Sequence, residues 1–386
     1  MNDIYKTVCV VGAGPAGSMS GYLLQQAGLQ VTIVERDSLV RRKVCGEYLC
    51  PSGVKLLHDL GLEEVVDEFL HVPGMKIVSP KGRSILSFFP EEGAINYGAS
   101  VNRSTFDQSL RQLARSSGCN LIEGESVISL EKGSSSWKVS TSERVIVADL
   151  VVAAEGITSP CAQMLGHKSN IDTKRIALHV YLPLKSRELY SRLGQMHILS
   201  DGSYVGLSPI NEDEVNFSIV CSKDKLKNVT RKEIINNAIR SSKVLRLYFD
   251  EIGDDVKIST AGSIKNINKF IAGDGLAYVG DSAGFIDPLT GEGMYSSIQG
   301  AVFLSAELSK SPSNLGLKNY KKRKNKFFKE KNVLNNIFQV IIRLPFVCEL
   351  MASFLLSKQK RADTFIGIIG NIYKPLEGLK KLLFIS

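Results

Sequence analysis

The sequence predicts a mixed α/β fold in which a parallel sheet of βαβ units is interleaved with an antiparallel sheet and followed by a helical segment. Three observations predict it: a βαβ unit at the start of the chain, alternating strand patterns across residues 174–264, and helical spacing of apolar residues after residue 315. The chain has 386 residues, of which 44% are hydrophobic and 23% charged. This length and composition exclude a disordered, collagen-like or small disulfide-stapled protein.

The cysteines and the apolar runs indicate the compartment. The cysteines show no CxxC pair and no spacing typical of a metal site, so we expect a reducing environment and no metal. The first apolar run leads directly into a glycine-rich loop, which argues against a secretory signal peptide. The apolar stretch 338–356 is interrupted by Arg343, Pro345 and Glu349, which a membrane-spanning helix tolerates badly. We therefore predict a cytoplasmic protein without a transmembrane helix.

Positive charge is concentrated in the tail. The net charge is +9, and residues 310–386 hold 16 Lys and Arg against 4 Asp and Glu, so the preceding 309 residues sum to −3. Nothing resembles a nucleic-acid-binding module. Lys321–Lys324, followed by Phe327, Phe328, Leu334 and Ile337, indicates a basic amphipathic helix. Two interpretations stay open: peripheral contact with a membrane surface, or packing against the rest of the protein.

The βαβ unit carries the first functional motif. Thr7–Val11 and Gln30–Glu35 are β-branched runs typical of buried parallel strands, and the segment between them fits a helix that ends at Gly28. In the turn after the first strand, Gly12 permits the tight bend and Gly14 lets the backbone approach a pyrophosphate. The N terminus of the helix then meets the phosphate charge.

The same motif selects the nucleotide. Gly17 lets the helix pack closely on the strand. Glu35, 23 positions after Gly12, is placed to accept hydrogen bonds from a ribose hydroxyl pair, and its charge would repel a 2′-phosphate. The motif therefore predicts FAD or NAD rather than NADP. We assign to cofactor binding Gly12, Gly14, Ala16, Gly17, Glu35 and Arg36.

Three further segments follow in order. Val101–Asp107 opens an amphipathic helix with Arg103 at its start, and Leu150–Gly156 is a buried strand that runs into an acid-glycine turn. Residues 276–284 form a strand that ends in Gly280-Asp281, after which a glycine-rich loop, 285–294, leads into a helix of small residues.

These motifs, in this order, resemble those of the flavoprotein superfamily that contains p-hydroxybenzoate hydroxylase, the flavin-dependent halogenases and the geranylgeranyl reductases. The sequence is most similar to the geranylgeranyl reductase-like branch, over residues 5–310. The resemblance implies FAD as the cofactor and a discontinuous Rossmann-type FAD-binding domain of residues 1–75, 97–173 and 265–314. It also implies an antiparallel-sheet substrate domain of residues 76–96 and 174–264, and a C-terminal helical region of residues 315–386.

The resemblance also implies roles for single residues. Asp281 would bond the FAD ribityl chain, and Arg103 would support the phosphate or ribityl region unless it is a solvent-facing arginine. Val127 would contact the adenine through its backbone, and the loop 288–294 would lie against the isoalloxazine. Glu155 replaces the usual aspartate of the middle Asp-Gly pair. The cofactor-binding residues implied are Cys45, Arg103, Val127, Glu155, Gly156, Gly280, Asp281, Pro288, Gly291, Gly293 and Met294.

The candidate catalytic residues are Cys45, His179 and Tyr204. Cys45 lies in a Cys-Gly-Glu segment that the reductase-like branch places beside the flavin, where it can tune the flavin, donate a proton, or serve as a small buried hydrophobe. In the strand 175–182, His179 and Tyr181 share one face and four aliphatic residues share the other. That polar face either positions substrate or meets solvent.

Two departures from the family shape the expected substrate. The halogenase Trp-x-Trp-x-Ile-Pro signature is missing, since Trp137 is the one tryptophan. The reductase Tyr-x-Trp-x-Phe-Pro motif matches Tyr204–Pro209, which keeps the tyrosine and the proline but replaces both large aromatics. We expect a differently shaped pocket, which puts an isoprenoid substrate in doubt.

Three functions remain open at this point. The first is an FAD-dependent oxidoreductase that reduces a carbon-carbon double bond of a hydrophobic, lipid- or polyketide-like substrate. The second is an FAD-dependent monooxygenase that hydroxylates an aromatic or polyketide substrate. The third is a non-catalytic flavin-binding protein whose basic tail docks on a surface. Because the chain has one GxGxxG unit, NAD(P)H would act as a transient electron donor, or a ferredoxin-like protein would take that role.

Overall fold

The computed structural model describes residues 4–40, 43, 45–91, 95–167, 169–172, 174–262, 265–268, 271–285 and 291–385. The strands are β1 (Thr7–Val11), β2 (Gln30–Glu35), β3 (Tyr48–Leu49), β4 (Leu70–Val72), β5 (Gly74–Val78), β6 (Ser84–Phe88), β7 (Gly98–Ser100), β8 (Asn120–Glu123), β9 (Val127–Lys132), β10 (Trp137–Thr141), β11 (Val145–Ala148), β12 (Leu150–Ala153), β13 (Ser169–Asp172), β14 (Arg175–Pro183), β15 (Gly194–Ile198), β16 (Tyr204–Pro209), β17 (Glu214–Ser222), β18 (Ser259–Gly262), β19 (Lys265–Asn268), β20 (Ala272–Gly273) and β21 (Leu276–Tyr278). The α-helices are α1 (Pro15–Gln26), α2 (Pro51–Asp59), α3 (Arg103–Ser116), α4 (Pro160–Met164), α5 (Arg231–Ser241), α6 (Lys243–Tyr248), α7 (Gly293–Lys310), α8 (Asn314–Arg343), α9 (Pro345–Leu356), α10 (Gln359–Ile369) and α11 (Pro375–Leu383).

A six-stranded sheet forms the first core, with the order β20-β21-β12-β1-β2-β8. Its neighbours pair in parallel except for the β20-β21 hairpin at the edge. Side chains alternate across the sheet, so Val8 and Val10 pack under α1, α3 and α7, whereas Cys9 and Val11 face the three-stranded sheet β11-β10-β9. The predicted mixed α/β class is confirmed.

A seven-stranded sheet forms the second core, with the order β18-β14-β17-β16-β15-β5-β6. It is antiparallel apart from the parallel pair β15-β5. The even-numbered aliphatic residues of β14 pack with α5 and α6 on its outer face, as the alternation predicts. The inner face turns towards the small sheet β3-β7-β4 and the C-terminal helices.

The C-terminal helices join the two cores. Helix α8 begins beside α7 and β20, and its second half lies over the inner face of the seven-stranded sheet, where α9, α10 and α11 complete an apolar cluster. Across the described residues, no single helix is long and apolar enough to cross a membrane. Helices α8 and α9 meet that criterion only as a pair, and they are bent by 111° at their junction.

Candidate active site and cofactor site

Glycines shape the turn between β1 and α1. The φ of Gly12 is +95°, and a Cβ at this position would lie 2.8 Å from the Ala154 carbonyl oxygen. A Cβ at Gly17 would lie 1.7 Å from the Gly12 carbonyl oxygen, and one at Gly280 would lie 2.7 Å from the Ala16 Cβ. These three glycines therefore bring the ends of β1, β12 and β21 and the start of α1 into direct contact.

The first turn of α1 is open to an anion. Gly14 is the N-cap of the helix and Pro15 follows, and Gly14 has no side chain with which to cap the helix N terminus. A Cβ at Gly14 would lie 3.1 Å from the Lys43 Nζ, so a positive charge stands at the same turn. Backbone donors, helix dipole and lysine together suit a phosphate group.

Glu35 lies at the end of β2 with its carboxylate held in place. It accepts hydrogen bonds from the Ala13 N–H at 2.7 Å and the Asp37 N–H at 3.1 Å. The guanidinium of Arg111 lies 3.6 Å from Glu35 and 2.8 Å from Glu123. Our sequence analysis missed Arg111, although its helical phase with Arg103, two turns earlier, could have revealed it.

Two other residues predicted on the adenosine side of the cofactor site, Val127 and Arg36, belong to the segments around Glu35. The Glu125 N–H donates to the Glu35 carbonyl oxygen at 3.1 Å, which places the start of β9, and with it Val127, beside the end of β2. Arg36 points outwards, since its side chain is 64% exposed and pairs with Asp37 at 3.7 Å. The structure thus brings Val127 towards the site and leaves Arg36 at its rim.

Arg103 is buried at the start of α3. It pairs with Asp107 through two hydrogen bonds of 2.9 Å, and Lys43 lies 3.5 Å from the same carboxylate. Burial acts to lower the pKa of Arg103, but the Cys45 thiol and the Asp107 carboxylate beside it raise that pKa above its ordinary value. The alternative of a solvent-facing arginine is therefore wrong.

Asp281 lies in the turn after β21, among positive side chains. Burial raises its pKa to about 6, while Arg103, Lys324 and Lys43 oppose the rise. Lys324 on α8 is 1% exposed, and its Nζ has no hydrogen-bond partner among the described residues. Burial lowers the pKa of Lys324 to about 8, with Asp281 acting in the opposite direction. The expected basic segment thus turns one of its lysines inwards, because Lys324 lies one helical turn after the buried Tyr320.

The glycine-rich loop ends at the N terminus of α7. Gly291 has a φ of +67°, Gly293 begins the helix and Met294 is buried. Glu292, at the N-cap, pairs with the buried Lys331 at 3.0 Å. Pro288 lies outside the described residues, so its predicted contact stays a prediction.

The Glu155 side chain binds a neighbouring helix. Its carboxylate accepts the Cys161 N–H at 2.7 Å and so caps α4, and burial raises its pKa. The Glu155 backbone borders the glycine turn, since a Cβ at Gly12 would lie 3.2 Å from the Glu155 Cα. Gly156, with a φ of +84°, continues the bend. The predicted contact of Glu155 with FAD stays a prediction.

Glu47 organises the Cys-Gly-Glu segment. It is fully buried with a φ of +50°, and its carboxylate accepts hydrogen bonds from the Tyr181 hydroxyl at 2.6 Å, the Asn216 Nδ2 at 3.1 Å and the Arg103 N–H at 3.2 Å. Asn216 also donates to the Cys45 carbonyl oxygen at 3.0 Å. Glu47 and Asn216 were not among the predicted site residues.

This network holds Cys45 where the two cores meet. Its thiol is half-buried, accepts the Glu47 N–H at 3.4 Å and interacts with the Arg103 guanidinium. Of the predicted catalytic residues, His179 is buried and packs edge-on against Tyr181 at 4.6 Å, which links it to the Glu47 network. Cys45 and His179 are therefore connected through described contacts.

Tyr204 does not lie with this group. It packs in the apolar cluster under the C-terminal helices, with the Arg175 guanidinium 5.3 Å from its ring. Ser208, four residues along β16, is the residue that reaches the small sheet, through a 3.0 Å contact with Ser100. Each residue of a strand adds about 3.3 Å, so Tyr204 lies at the opposite end of β16 from Ser208. The expected catalytic role of Tyr204 is therefore not supported.

An apolar cluster extends from the cofactor loop to a cavity. Tyr48 would contact a Cβ at Gly291 at 2.8 Å, and Phe285 would contact one at Gly293 at 3.8 Å. Both rings pack against the cluster that fills the space between the seven-stranded sheet and the C-terminal helices. Within it, a cavity of about 60 Å³ is lined by Ile77, Met196, Ile198, Phe338, Met351 and Leu355, among others. The apolar cluster therefore includes both the rings beside the cofactor loop and the lining of this cavity.

The described residues fit FAD. The Gly12–Gly17 turn offers backbone donors at the start of α1 for a pyrophosphate. Glu35 would bind the ribose, and Asp281 and Arg103 border the adjoining part of the cofactor site. Glu292, the N-cap of α7, makes no side-chain hydrogen bond to the helix N terminus, so the backbone donors of that turn could stabilise negative charge on a bound flavin ring.

Relatives of the chain include reductases. The chain is 27% identical to digeranylgeranylglycerophospholipid reductase of Methanocaldococcus jannaschii, over 81% of this chain and 78% of the relative. It is 28% identical to menaquinone reductase of Mycobacterium tuberculosis, over 76% of this chain and 74% of the relative. It is also 26% identical to conditioned medium factor receptor 1 of Dictyostelium discoideum, over 93% of this chain and 75% of the relative.

Solved structures share the fold. The flavin-dependent halogenase CmlS superposes with a TM-score of 0.78 at 20% identity, covering 98% of this chain and 76% of the halogenase. A geranylgeranyl bacteriochlorophyll reductase-like protein from Thermoplasma acidophilum superposes with a TM-score of 0.74 at 22% identity, covering 98% of this chain and 95% of that protein. The FAD binding domain family matches residues 5–329. The chain therefore belongs to the FAD binding domain family and is an FAD-dependent oxidoreductase.

Proposed function

We propose that this enzyme reduces a carbon-carbon double bond in a lipid-like substrate. The observation that carries the proposal is the position of Cys45, whose half-buried thiol lies beside Arg103 at the junction of the two cores. When bound and reduced, FAD supplies a hydride at N5. A thiol at this place supplies the proton that the second alkene carbon needs.

The surrounding residues prepare Cys45 for that task. Glu47 fixes the segment through the Tyr181 and Asn216 side chains, so the thiol is held by the substrate sheet as well as by the cofactor core. After Cys45 gives its proton to substrate, the Arg103 guanidinium stabilises the thiolate by charge. Solvent then returns the proton, and the protein regains its starting state.

The apolar cluster supports a lipid-like substrate. The lining of the cavity is made of aliphatic, aromatic and sulphur-containing side chains apart from Ser79, so the space between the seven-stranded sheet and the C-terminal helices is apolar. Two relatives bear the names of reductases of a geranylgeranyl lipid and of menaquinone. The electron donor in this proposal is NAD(P)H, visiting transiently.

The test is product analysis under nitrogen. The FAD-loaded enzyme is reduced with dithionite and mixed with a geranylgeranyl glycerophospholipid or with menaquinone, and products are followed by mass spectrometry. A product heavier by two hydrogens, formed without oxygen, supports the proposal. A product that forms only in air and gains one oxygen atom would show a monooxygenase instead.

A further inference from the structure

The outer side of α8 changes character along its length. In the first half, the exposed stripe carries Lys318, Lys322, Lys326 and Lys329 at helical spacing. In the second half, the same stripe carries Val333, Ile337, Val340 and Leu344, with exposed fractions between 39% and 58%. Such a basic half followed by an exposed apolar half has no role in packing the described core.

Helix α9, which meets α8 at a bend of 111°, adds a second exposed apolar surface. Its exposed residues are all apolar: Pro345, Phe346, Leu350 and Leu356. Phe346 is 75% exposed and Leu350 is 54% exposed. The one charged residue of α9, Glu349, is buried and binds Arg83 at 3.3 Å and the Lys81 N–H at 2.7 Å. Water therefore meets an apolar helix face that lacks any charge of its own.

We propose that this surface, residues 318–350 of α8 and α9, docks on an anionic lipid bilayer. In that arrangement Phe346, Leu350 and the apolar half of α8 enter the acyl boundary, and the lysine half meets the lipid phosphates. Arg343, exposed at the bend between the helices, adds a further cation at headgroup level. Charge complementarity and apolar exposure then act on the same membrane.

The charge pattern argues against a second copy of the chain as the occupant. A two-fold interface along α8 would bring either lysines against lysines or lysines onto the apolar half of the partner helix. Both arrangements leave positive charges without counter-charges in a dry contact, which is costly. A bilayer presents apolar and anionic layers at different depths, so it satisfies both halves at once.

The docking surface also adjoins the apolar cavity. Phe338, Ile341 and Ile342 of α8 and Met351 and Leu355 of α9 line the cavity from the inner side of the same two helices. Docking would therefore place the outer wall of the cavity against lipid. The inference does not depend on the proposed reaction, since membrane binding is measured without substrate.

Sedimentation with vesicles tests the inference. The FAD-loaded protein is mixed with vesicles of phosphatidylcholine alone or of phosphatidylcholine and phosphatidylglycerol in a 3:1 ratio. We expect binding to the anionic vesicles, weakened by 0.5 M salt. Replacing three lysines, Lys322→Gln, Lys326→Gln and Lys329→Gln, should weaken it by about 100-fold. Phe346→Glu with Leu350→Glu should abolish it.

Matched controls lie elsewhere on the surface. Val147→Glu changes a side chain that is 64% exposed on β11, and Lys243→Gln with Lys257→Gln removes two exposed charges far along the chain from α8. These variants should bind vesicles as the native protein does. Failure of the native protein to bind anionic vesicles would overturn the inference, as would a dimer in solution that Phe346→Glu dissolves. Retained flavin absorbance shows that each variant is folded.

Discussion

The Tyr181 hydroxyl donates a hydrogen bond of 2.6 Å to the buried carboxylate of Glu47. This contact joins β14 of the seven-stranded sheet to the segment that carries Cys45. Asn216 on the neighbouring strand β17 donates to the same carboxylate at 3.1 Å. The geometry of Cys45 thus depends on two side chains that are more than 130 residues away in the sequence.

Removing the hydroxyl should loosen this junction. Tyr181→Phe deletes one hydrogen bond to a buried charged group, so we expect the free energy of unfolding to fall by about 1–3 kcal/mol. Urea unfolding followed by circular dichroism measures it. Tyr190→Phe, which removes a hydroxyl from a partly exposed loop tyrosine, is the control and should change the value by less than about 0.5 kcal/mol. Equal effects for the two variants would contradict the role given to the contact.

The glycine turn should not tolerate a methyl group. In Gly17→Ala the new Cβ would lie 1.7 Å from the Gly12 carbonyl oxygen, so β1 and α1 must separate and the phosphate site is lost. We expect purified Gly17→Ala protein to lack the flavin absorbance of the native protein. Gly262→Ala, at a position where a Cβ meets nothing within 4 Å, should stay yellow. Flavin retained at native levels by Gly17→Ala would exclude this turn as the phosphate site.

Asp281 should make the stability of the apoprotein depend on pH. Its pKa is about 6 in the folded chain and lower in the unfolded chain, so between pH 4 and pH 6 the folded state holds the extra proton. Stability due to this group is therefore present at pH 4 and is lost as the pH rises to 6. In Asp281→Asn that loss should disappear, as urea unfolding at pH 4, 5, 6 and 7 would show. A pH profile that is unchanged from the native one would contradict this prediction.

Lys324 should make the stability of the apoprotein depend on pH in the alkaline range. Its pKa is about 8 in the folded chain against its usual 10.5, so the unfolded state binds more protons between these values. Stability should then increase as the pH rises from 8 to 10.5. Lys324→Met should remove this increase, which urea unfolding at pH 8, 9 and 10 measures. Lys329→Met, at an exposed position five residues later, is the control and should keep the increase. Loss of the increase in this control would refute the burial argument.

The sequence reveals local motifs better than distant partners. The βαβ unit, its glycines and Glu35 lie within 30 residues, so their spacing already predicts the nucleotide turn. Glu47 escaped notice because its partners Tyr181 and Asn216 come from strands that only the folded sheet brings close. Buried polar networks of this kind leave no periodic signal in the sequence.

Two other differences between the sequence-based predictions and the structure have local causes. Tyr204 shares its strand face with Ser208, which reaches the small sheet, and alternation alone cannot tell one end of that face from the other. Lys324 sits in a run of four basic residues whose composition suggests solvent, although its phase with Leu317 and Tyr320 places it on the buried side of α8.

A single anaerobic turnover tests the central claim most directly. Enzyme with reduced flavin is mixed with the geranylgeranyl lipid or menaquinone in a stopped-flow instrument, and the return of oxidised flavin absorbance is recorded for native protein, Cys45→Ser and the control Cys50→Ser. The account predicts oxygen-independent oxidation in the native and Cys50→Ser proteins, slowed about 100-fold to 10,000-fold in Cys45→Ser. Oxidation that requires oxygen, or that proceeds at the native rate in Cys45→Ser, would contradict it.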